Sequence, residues 1–151
     1  MIESIKEKEE KERIAREVLF ALPEWFGIPE STEEYVRESR ELPFFAWKEK
    51  DENAGFASLR QTGEGTAEIF VIGVKKEFHG RGIGRSLVKA LEEEARHLGC
   101  AFLQVKTVRP GRCKEYDATN RFYLAMGFRE FECFPTLWSE SNPCQVYVKS
   151  V

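Results

Sequence analysis

The sequence predicts a mixed α/β (α+β) protein in which helices cover the faces of one sheet. Segments 7–22 and 83–98 carry apolar residues at helical spacing, and alternating or continuous apolar runs lie between them. Turns containing glycine or asparagine separate those runs, as expected between strands. The chain has 151 residues, of which 42% are hydrophobic and 13% aromatic. A chain of this size buries a core without disulfides, so we expect a single domain over residues 1–151.

The first half is predicted to hold two helices and three strands. The first helix, residues 7–22, ends at Pro23, and Ile2 and Ile5 favour a short strand before it. Ser31 and Glu34 have the spacing of a capping box, which predicts a second helix over 31–41. Three strands are expected after it, at 43–49, 54–61 and 66–74, with turns at 51–53 and 63–65.

The second half is predicted to alternate between helices and strands. Its clearest element is a helix whose apolar stripe ends at Gly99, a residue suited to the helix C-cap. The stripe is formed by Ile83, Leu87, Ala90, Leu91, Ala95 and Leu98. A buried strand is expected over 101–108. A short helix then runs from Ala118 to Met126, with Asp117 as N-cap and Gly127 as C-cap. Two strands, at 128–134 and 144–150, complete the chain.

Charge and composition exclude several classes of protein. A net charge of −3 and a pI of 5.6 argue against a nucleic-acid-binding protein. No apolar run approaches the roughly 20 residues of a membrane span, and the charged N-terminus does not resemble a secretion signal. The four scattered cysteines favour reduced structural thiols over a zinc site. We therefore expect a cytoplasmic protein with no metal, no nucleic acid and no membrane partner.

Residues 79–86, HGRGIGRS, connect a predicted strand to the start of a predicted helix. Unpaired N–H groups and the helix dipole attract anions at such a position, and glycines let a ligand approach the backbone. The nearby cations, Lys75, Lys76, His79, Arg81 and Arg85, suit a ligand with several phosphates. The third glycine is misplaced for a dinucleotide fingerprint, and no lysine follows as in a P-loop. A glycine-rich turn that binds nothing remains the alternative at this point.

Two motifs resemble those of the GNAT superfamily of N-acetyltransferases. HGRGIG is similar to the family's pyrophosphate-binding motif, Gln/Arg-x-x-Gly-x-Gly/Ala, with His79 in the first position. ATNRFYLAMGF is similar to a later family helix, although Asn120 stands only three residues before Tyr123. The resemblance covers about residues 43–135. It implies the GNAT fold, in which about four helices flank a mostly antiparallel sheet splayed at a bulged strand. It also implies acetyl-CoA as co-substrate.

The resemblance assigns a cofactor-binding role to the loop and to the strand before it. Backbone amides from about Arg81 to Ser86 would bind the pyrophosphate, and backbone groups at Ile72 and Val74 would pair with the pantetheine arm. Gly73 suits the expected bulge, and a small residue packed under a helix is the alternative. The full predicted set is Ile72, Gly73, Val74, His79, Gly80, Arg81, Gly82, Ile83, Gly84, Arg85, Ser86, Asn120 and Tyr123.

Two residues are candidates for the proton transfers of the reaction. Tyr123 matches the family's general acid, because a phenol stays protonated at neutral pH and can protonate a departing thiolate. The alternative is an aromatic residue at the edge of the core. Glu68 matches a position where some members place a general base, and alternation puts it on one strand face with Phe70, Ile72 and Val74. A solvated glutamate at the strand end remains open.

The acceptor is expected opposite the cofactor, between the first two helices and the later loops. The predicted acceptor-site residues are Trp25, Phe26, Arg109, Arg112, Tyr116 and Trp138. A pocket lined by aromatic residues and cations suggests a small amino acid or a similar polar amine as acceptor. The alternative is that Trp25 and Phe26 simply pack in the core between the helices. Acetylation of a protein lysine or N-terminus, and a non-catalytic sensor of acetyl-CoA, remain alternatives. Dimers are frequent in the family, so the resemblance allows a homodimer.

Overall fold

The computed structural model describes all 151 residues as one seven-stranded sheet with four helices. The strand order is β1-β2-β3-β4-β5-β7-β6, and only the β4–β5 pair is parallel. The helices are α1 (Lys8–Leu19), α2 (Pro29–Ser39), α3 (Ile83–His97) and α4 (Lys114–Ala125). The strands are β1 (Ile2–Ser4), β2 (Phe44–Glu49), β3 (Glu52–Gln61), β4 (Thr66–Val74), β5 (Phe102–Val108), β6 (Arg129–Ser139) and β7 (Asn142–Ser150). This mixed, mostly antiparallel sheet with four flanking helices confirms the predicted fold.

Each face of the sheet has its own apolar core. One core joins α3 and α4 to the sheet and includes Leu87, Leu91, Tyr123 and Tyr147. The other joins α1 and α2 to β2, β3 and β4, and includes Ile14, Phe44 and Phe56. The helix stripe predicted in α3 is largely buried, but Leu98 is 40% exposed because it lies at the C-cap rather than over the sheet.

Two helices begin earlier than predicted. α2 starts at Pro29, because proline suits the first turn, where its missing N–H costs nothing. The predicted cap at Ser31 is therefore wrong. α4 starts at Lys114 rather than Ala118, so Asp117 lies in its first turn instead of capping it. The Asp117 carboxylate accepts a hydrogen bond of 2.7 Å from the Gly111 N–H, and so holds the preceding loop.

A bulge in β4 lies at Phe70, not at Gly73 as predicted. Val71 pairs with Ser58 and Ile69 with Leu59, so Phe70 is the extra residue. The bulge reverses the alternation of faces. Ile69, Ile72 and Val74 belong to the α3 side, whereas Phe70 and Val71 belong to the α1 side. Glu68 therefore does not share a face with Ile72 and Val74, and that prediction is wrong.

Gly73 and Gly55 are explained by close packing. A Cβ on Gly73 would lie 3.1 Å from the side chain of Leu22, just after α1, and 3.2–3.4 Å from those of Val18 and Leu19 within it. A Cβ on Gly55 would lie 2.7 Å from the Gly73 carbonyl oxygen, closer than real contacts permit. The alternative that Gly73 packs beneath a helix agrees with this geometry. Together the two glycines bring β3, β4 and α1 into close contact beside the bulge.

The parallel strands β4 and β5 diverge after a short paired segment. Their register runs from Thr66–Phe102 to Glu68–Gln104, and beyond that point each strand continues without the other. β5 instead remains paired with β7 to its end at Val108. The sheet is therefore splayed beyond Glu68, as the family resemblance implied.

The last hairpin extends further than predicted. β6 continues to Ser139 and β7 begins at Asn142, so the segment expected to be a loop is strand. β6 is the outer strand, and no pairs are formed between Phe134 and Ser139, around Pro135. Pro135 has no N–H to donate to a ladder, which accounts for an irregular outer strand. None of the four helices is long and apolar enough to cross a membrane.

Candidate active site

Unpaired main-chain donors surround the start of α3. Gly80 and Gly82 have φ angles of +79° and +78°, and the space beside each is open. Side chains disfavour this left-handed conformation, which explains both glycines. The Ser86 N–H donates to the Gly82 carbonyl at 3.1 Å, but the N–H groups of residues 80–85 have no backbone acceptor. The six-donor loop is therefore residues 80–85, while the N–H of Ser86, predicted to bind cofactor, is used by the helix.

Gly84 serves another purpose within this loop. It has no left-handed φ, but a Cβ at this position would lie 3.3 Å from the Phe122 ring of α4. The missing side chain thus lets the first turn of α3 rest directly on α4.

The positive charges near the loop separate into two groups. Lys75 is buried and paired with Glu17 at 2.6 Å and Glu52 at 3.2 Å, and Lys76 pairs with Glu24 at 2.7 Å. These lysines fasten the loop to α1, to the segment after it and to β3. Arg81 and Arg85 form no ion pair, and Arg81 lies 5.1 Å from the centre of the Phe78 ring. The two arginines are the cations available to an anion at the loop.

Backbone groups of β4 face the gap between β4 and β5. The Lys75 N–H donates to Ala54 at 2.8 Å across the Gly55–Val74 pair, so Val74 and Ile72 direct their own polar groups away from β3. β5 does not pair with them. The Val74 carbonyl accepts a hydrogen bond of 2.7 Å from His79 Nε2. The N–H and carbonyl of Ile72 are therefore free for a ligand, whereas the Val74 carbonyl is already bonded to His79.

Tyr123 is buried among aromatic rings. Only 3% of the residue is exposed, and its ring packs edge-on against Phe122 and Phe128 and tilted against Tyr147. Its hydroxyl forms no hydrogen bond with the protein. Burial is the sole cause that raises its pKa above the usual value near 10. The phenol therefore keeps its proton throughout the neutral range.

Asn120 connects α4 to the strands β5 and β7. Its amide donates to the carbonyls of Val108 at 2.9 Å and Tyr116 at 2.7 Å, and its oxygen accepts from the Tyr147 hydroxyl. Both of its N–H donors are thus used inside the protein. This geometry favours a positioning role over the cofactor contact predicted for Asn120, because the network fixes the helix that carries Tyr123.

Trp25 and Tyr116 lie together, as the acceptor-site prediction required. The Tyr116 hydroxyl donates to the Trp25 carbonyl at 2.7 Å, and the Trp25 indole donates to Thr119 at 3.1 Å. Burial raises the pKa of Tyr116 to about 12. The Trp25 ring also lies 6.0 Å from that of His79. The connection between α1 and α2 is thereby attached both to α4 and to His79, which precedes the six-donor loop.

Phe26 extends this aromatic wall towards the bulge. It packs edge-on against Tyr35 of α2, which packs in turn against Phe70. Tyr35 forms no hydrogen bond through its hydroxyl, and burial, followed by the nearby Glu68 carboxylate, raises its pKa.

Glu68 lies where the splay begins and is held by two cations. Its side chain is 4% exposed. Oε1 accepts from Arg60 Nε at 3.0 Å and Nη2 at 2.6 Å, and Oε2 accepts from Lys106 at 2.7 Å. Three of the roughly four acceptor positions of the carboxylate are therefore filled. Glu68 is therefore not a solvated strand-end residue, and one acceptor position of its carboxylate, on Oε2, remains open.

The other predicted acceptor-site residues lie at the same end of the sheet but separately. Arg109 and Arg112 are exposed and form no ion pair. The Arg109 N–H donates to Pro143 at 2.9 Å, so the β6–β7 turn lies beside this loop. Trp138 is 45% exposed on β6 and contacts none of the aromatic residues described above. The structure thus brings together Trp25, Phe26 and Tyr116, but not Trp138 or the two arginines.

Arg60, Lys106 and Tyr35 were not predicted as site residues. Lys106 and Gln104 interrupt an otherwise apolar strand at alternate positions, which was the available signal. Arg60 and Tyr35 gave none, because their proximity to Glu68 depends on strand register and helix packing. No cluster of three or more histidine, cysteine, aspartate or glutamate residues is arranged to hold a metal ion.

Comparison with known proteins places this geometry in a family. The chain is 36% identical over 76 residues to the N-alpha-acetyltransferase RimI of Mycobacterium tuberculosis, a match covering 50% of this chain and 43% of that protein. The fold matches a putative GNAT-family acetyltransferase of Desulfovibrio desulfuricans with a TM-score of 0.84 and 22% identity, over 99% of this chain and 98% of the other.

It also matches an aminoglycoside 6'-N-acetyltransferase complexed with coenzyme A, with a TM-score of 0.76 and 20% identity, over 99% and 96% of the two chains. The model of the Acetyltransferase (GNAT) family matches residues 8–128. The predicted resemblance is confirmed, and the chain belongs to the GNAT family of acetyltransferases.

Proposed function

We propose that the protein transfers the acetyl group of acetyl-CoA to the primary amine of a small molecule, by direct attack in a ternary complex. The observation that carries this proposal is the six-donor loop beside a strand edge that β5 leaves uncovered. In support, a solved member of the same fold is described as complexed with coenzyme A.

The loop fits the pyrophosphate of the co-substrate. Six main-chain donors at the positive end of a helix dipole suit the anionic oxygens of a diphosphate. Arg81 and Arg85 add positive charge that no protein carboxylate neutralises. The polar groups of Ile72, and the N–H of Val74, suit the amides of the pantetheine arm as an added strand would. When bound, the co-substrate supplies an acetyl group activated as a thioester.

Tyr123 is proposed to protonate the sulfur as the carbon–sulfur bond breaks. The amine forms the new carbon–nitrogen bond and loses one proton to solvent, while the phenol gives its proton to the departing sulfur and is later reprotonated. The burial that raises the pKa of Tyr123 keeps this proton in place until it is needed. Its apolar surroundings leave the hydroxyl without a competing protein acceptor.

The role of Glu68 as a general base stays a prediction. The carboxylate has one acceptor position left, on Oε2, through which a water molecule could bind. The need for a base depends on the acceptor, since about a tenth of an α-amine is neutral at pH 7 but under about a thousandth of a lysine-like amine. The Glu68→Gln variant tests the role: the acidic limb of its pH–rate profile disappears if the carboxylate is the base and persists if it is not.

A peptide N-terminus is the second candidate acceptor. It is favoured by the relative described as an N-alpha-acetyltransferase, which matches half of this chain. The half-buried residues Trp25, Phe26 and Tyr116 favour a small acceptor instead, because they narrow the acceptor side.

Thiol release from acetyl-CoA, measured across amino acids, polyamines, aminoglycosides and peptides, tests the proposal. Turnover of small amines supports it, and turnover of peptides alone selects the second candidate. Binding of CoA without turnover of any amine would indicate a sensor and reject both enzyme proposals.

A further inference from the structure

Two cations lie above a buried carboxylate on the acceptor side of the splayed strands. Arg60, Glu68 and Lys106 come from β3, β4 and β5, and their side chains point to the same face of the sheet. That face is opposite the one on which Tyr123 packs, because Glu68 and the α3-side residues alternate along β4. We call Arg60 and Lys106 the cation pair, and Glu68 its brace.

The exposure of the three side chains differs in a way that matters for binding. Glu68 is 4% exposed, whereas Lys106 is 31% and Arg60 is 42% exposed. The carboxylate therefore lies beneath the cations and holds them in place. Lys106 uses one of its three N–H donors on Glu68, and Arg60 Nη1 donates to no protein acceptor. These remaining donors face the accessible side.

Stability is a weak explanation for this arrangement. Burying a carboxylate between cations is seldom better than apolar packing, because the cost of desolvation offsets the attraction. The apolar cores on the two faces include none of these three residues. Arg60, Lys106 and Glu68 together carry one net positive charge. Glu38 forms a second, longer ion pair of 3.9 Å with Arg60 Nη1, and because Glu38 is 49% exposed, solvent weakens this contact.

The neighbouring side chains fix the orientation of Arg60. Its guanidinium lies 4.4 Å from the centre of the Phe70 ring, at the β4 bulge, and Phe70 packs against Tyr35. A planar guanidinium held in this way presents its free edge with little loss of side-chain freedom. Lys106 binds Glu68 from the other side, at 2.7 Å.

We propose that Arg60 and Lys106, braced by Glu68, bind a carboxylate of the acceptor, so that the enzyme selects amines that also carry a carboxylate. The inference rests on the proposed function and names the substrate class. Glu68 lies four residues from Ile72 along β4, one of them the bulge residue, which corresponds to roughly 10 Å of strand. The carboxylate of the acceptor is therefore separated from its amine by several bonds, rather than attached to the same carbon.

Matched pairs of acceptors test this inference. The probes are straight-chain ω-amino acids of increasing length, each compared with its own carboxamide, in the thiol-release assay with acetyl-CoA. We expect kcat/KM to favour the carboxylate by about 10- to 100-fold in the longer acids, as a charge-assisted contact implies, and not in the shortest. Equal turnover of acids and carboxamides at every length would reject the inference but leave the acetyltransferase proposal intact.

Variants separate recognition from folding. Lys106→Gln is expected to reduce the carboxylate preference, measured as the ratio of kcat/KM for an acid to that for its own carboxamide, to below about 3-fold. Lys6→Gln, which makes the same charge change at an exposed position elsewhere, is the control. Equal slowing of acids and carboxamides in Lys106→Gln would show a merely structural lysine and overturn the inference.

Calorimetry covers the case in which no amine is turned over. The longer ω-amino acids and their carboxamides are titrated into the CoA-loaded protein. Tighter binding of the acids, lost in Lys106→Gln, supports the subsite even if the acetyltransferase proposal fails. Equal binding of both kinds of probe rejects it.

Discussion

The proposed cofactor side and the proposed acceptor side of the splayed strands are built from different chemistry. On the cofactor side, the donors are main-chain N–H groups, and the Tyr123 hydroxyl has no protein partner. On the acceptor side, the Glu68 carboxylate already binds both cations, Arg60 and Lys106. A site of unpaired main-chain groups is ready to bind without rearrangement, whereas a site of paired charges gains most from a ligand that complements the charge left over. The first arrangement suits a constant co-substrate and the second suits selection among acceptors.

The sharpest test of the comparison sets Tyr123→Phe against Glu68→Gln. We expect Tyr123→Phe to lower kcat by about 10²- to 10⁴-fold, because it keeps the aromatic ring but removes the hydroxyl that would protonate the sulfur. Glu68→Gln is expected to act mainly through the acceptor, with a higher KM for carboxylate-bearing amines. The measurement is steady-state kinetics with acetyl-CoA and the best acceptor. A Tyr123→Phe variant with unchanged kcat would remove the residue from the acid role.

The main-chain character of the loop is tested at Gly82. A side chain at a φ of +78° costs roughly 1–2 kcal/mol, so Gly82→Ala is expected to weaken acetyl-CoA binding about 10-fold or more. Gly63→Ala is the matched control, because Gly63 has open space and no left-handed φ. Calorimetric titration with CoA measures both. Similar affinities for the two variants would mean that the loop conformation does not govern binding.

The hydrogen bond between Tyr147 and Asn120, which fixes α4 against the sheet, is tested by a substitution at Tyr147. Tyr147→Phe removes the hydrogen bond to Asn120, and we expect stability to fall by about 1–2 kcal/mol. We also expect kcat to fall several-fold at constant KM for acetyl-CoA, since α4 carries Tyr123. Urea unfolding and kinetics report the two effects. A loss of stability with unchanged kcat would show that the network does not position Tyr123.

High pH tests both sides at once through their tyrosines. The pKa values of Tyr35, Tyr116, Tyr123 and Tyr147 are all raised in the folded protein. Above about pH 10 the unfolded chain loses phenolic protons that the folded chain retains, so stability falls as pH rises. Tyrosinate absorbance is expected to appear together with loss of circular dichroism. Ionisation of all four tyrosines near pH 10 in the folded protein would contradict these shifts.

The loop and α3 were predictable because their determinants are local. Glycines at positive φ and an apolar stripe ending at Gly99 are written in consecutive residues. The bulge at Phe70 was not, since nothing near it in the sequence marks an extra residue, and it reverses the faces assigned to Ile72 and Val74. Nor could the partners of Glu68 be predicted, because Arg60 and Lys106 reach it only through the pairing of three strands.

Because the donors of the six-donor loop are main-chain N–H groups, few substitutions can remove them. Every amino acid except proline supplies the N–H that residues 80–85 present, so most random changes at Arg81, Ile83 or Arg85 preserve those donors. Only proline, or a change in the course of the backbone at Gly80 or Gly82, removes them. Variants at Arg81 and Arg85 should therefore weaken CoA binding only through the lost charge, whereas Ile83 is constrained separately because it is buried in the α3 core.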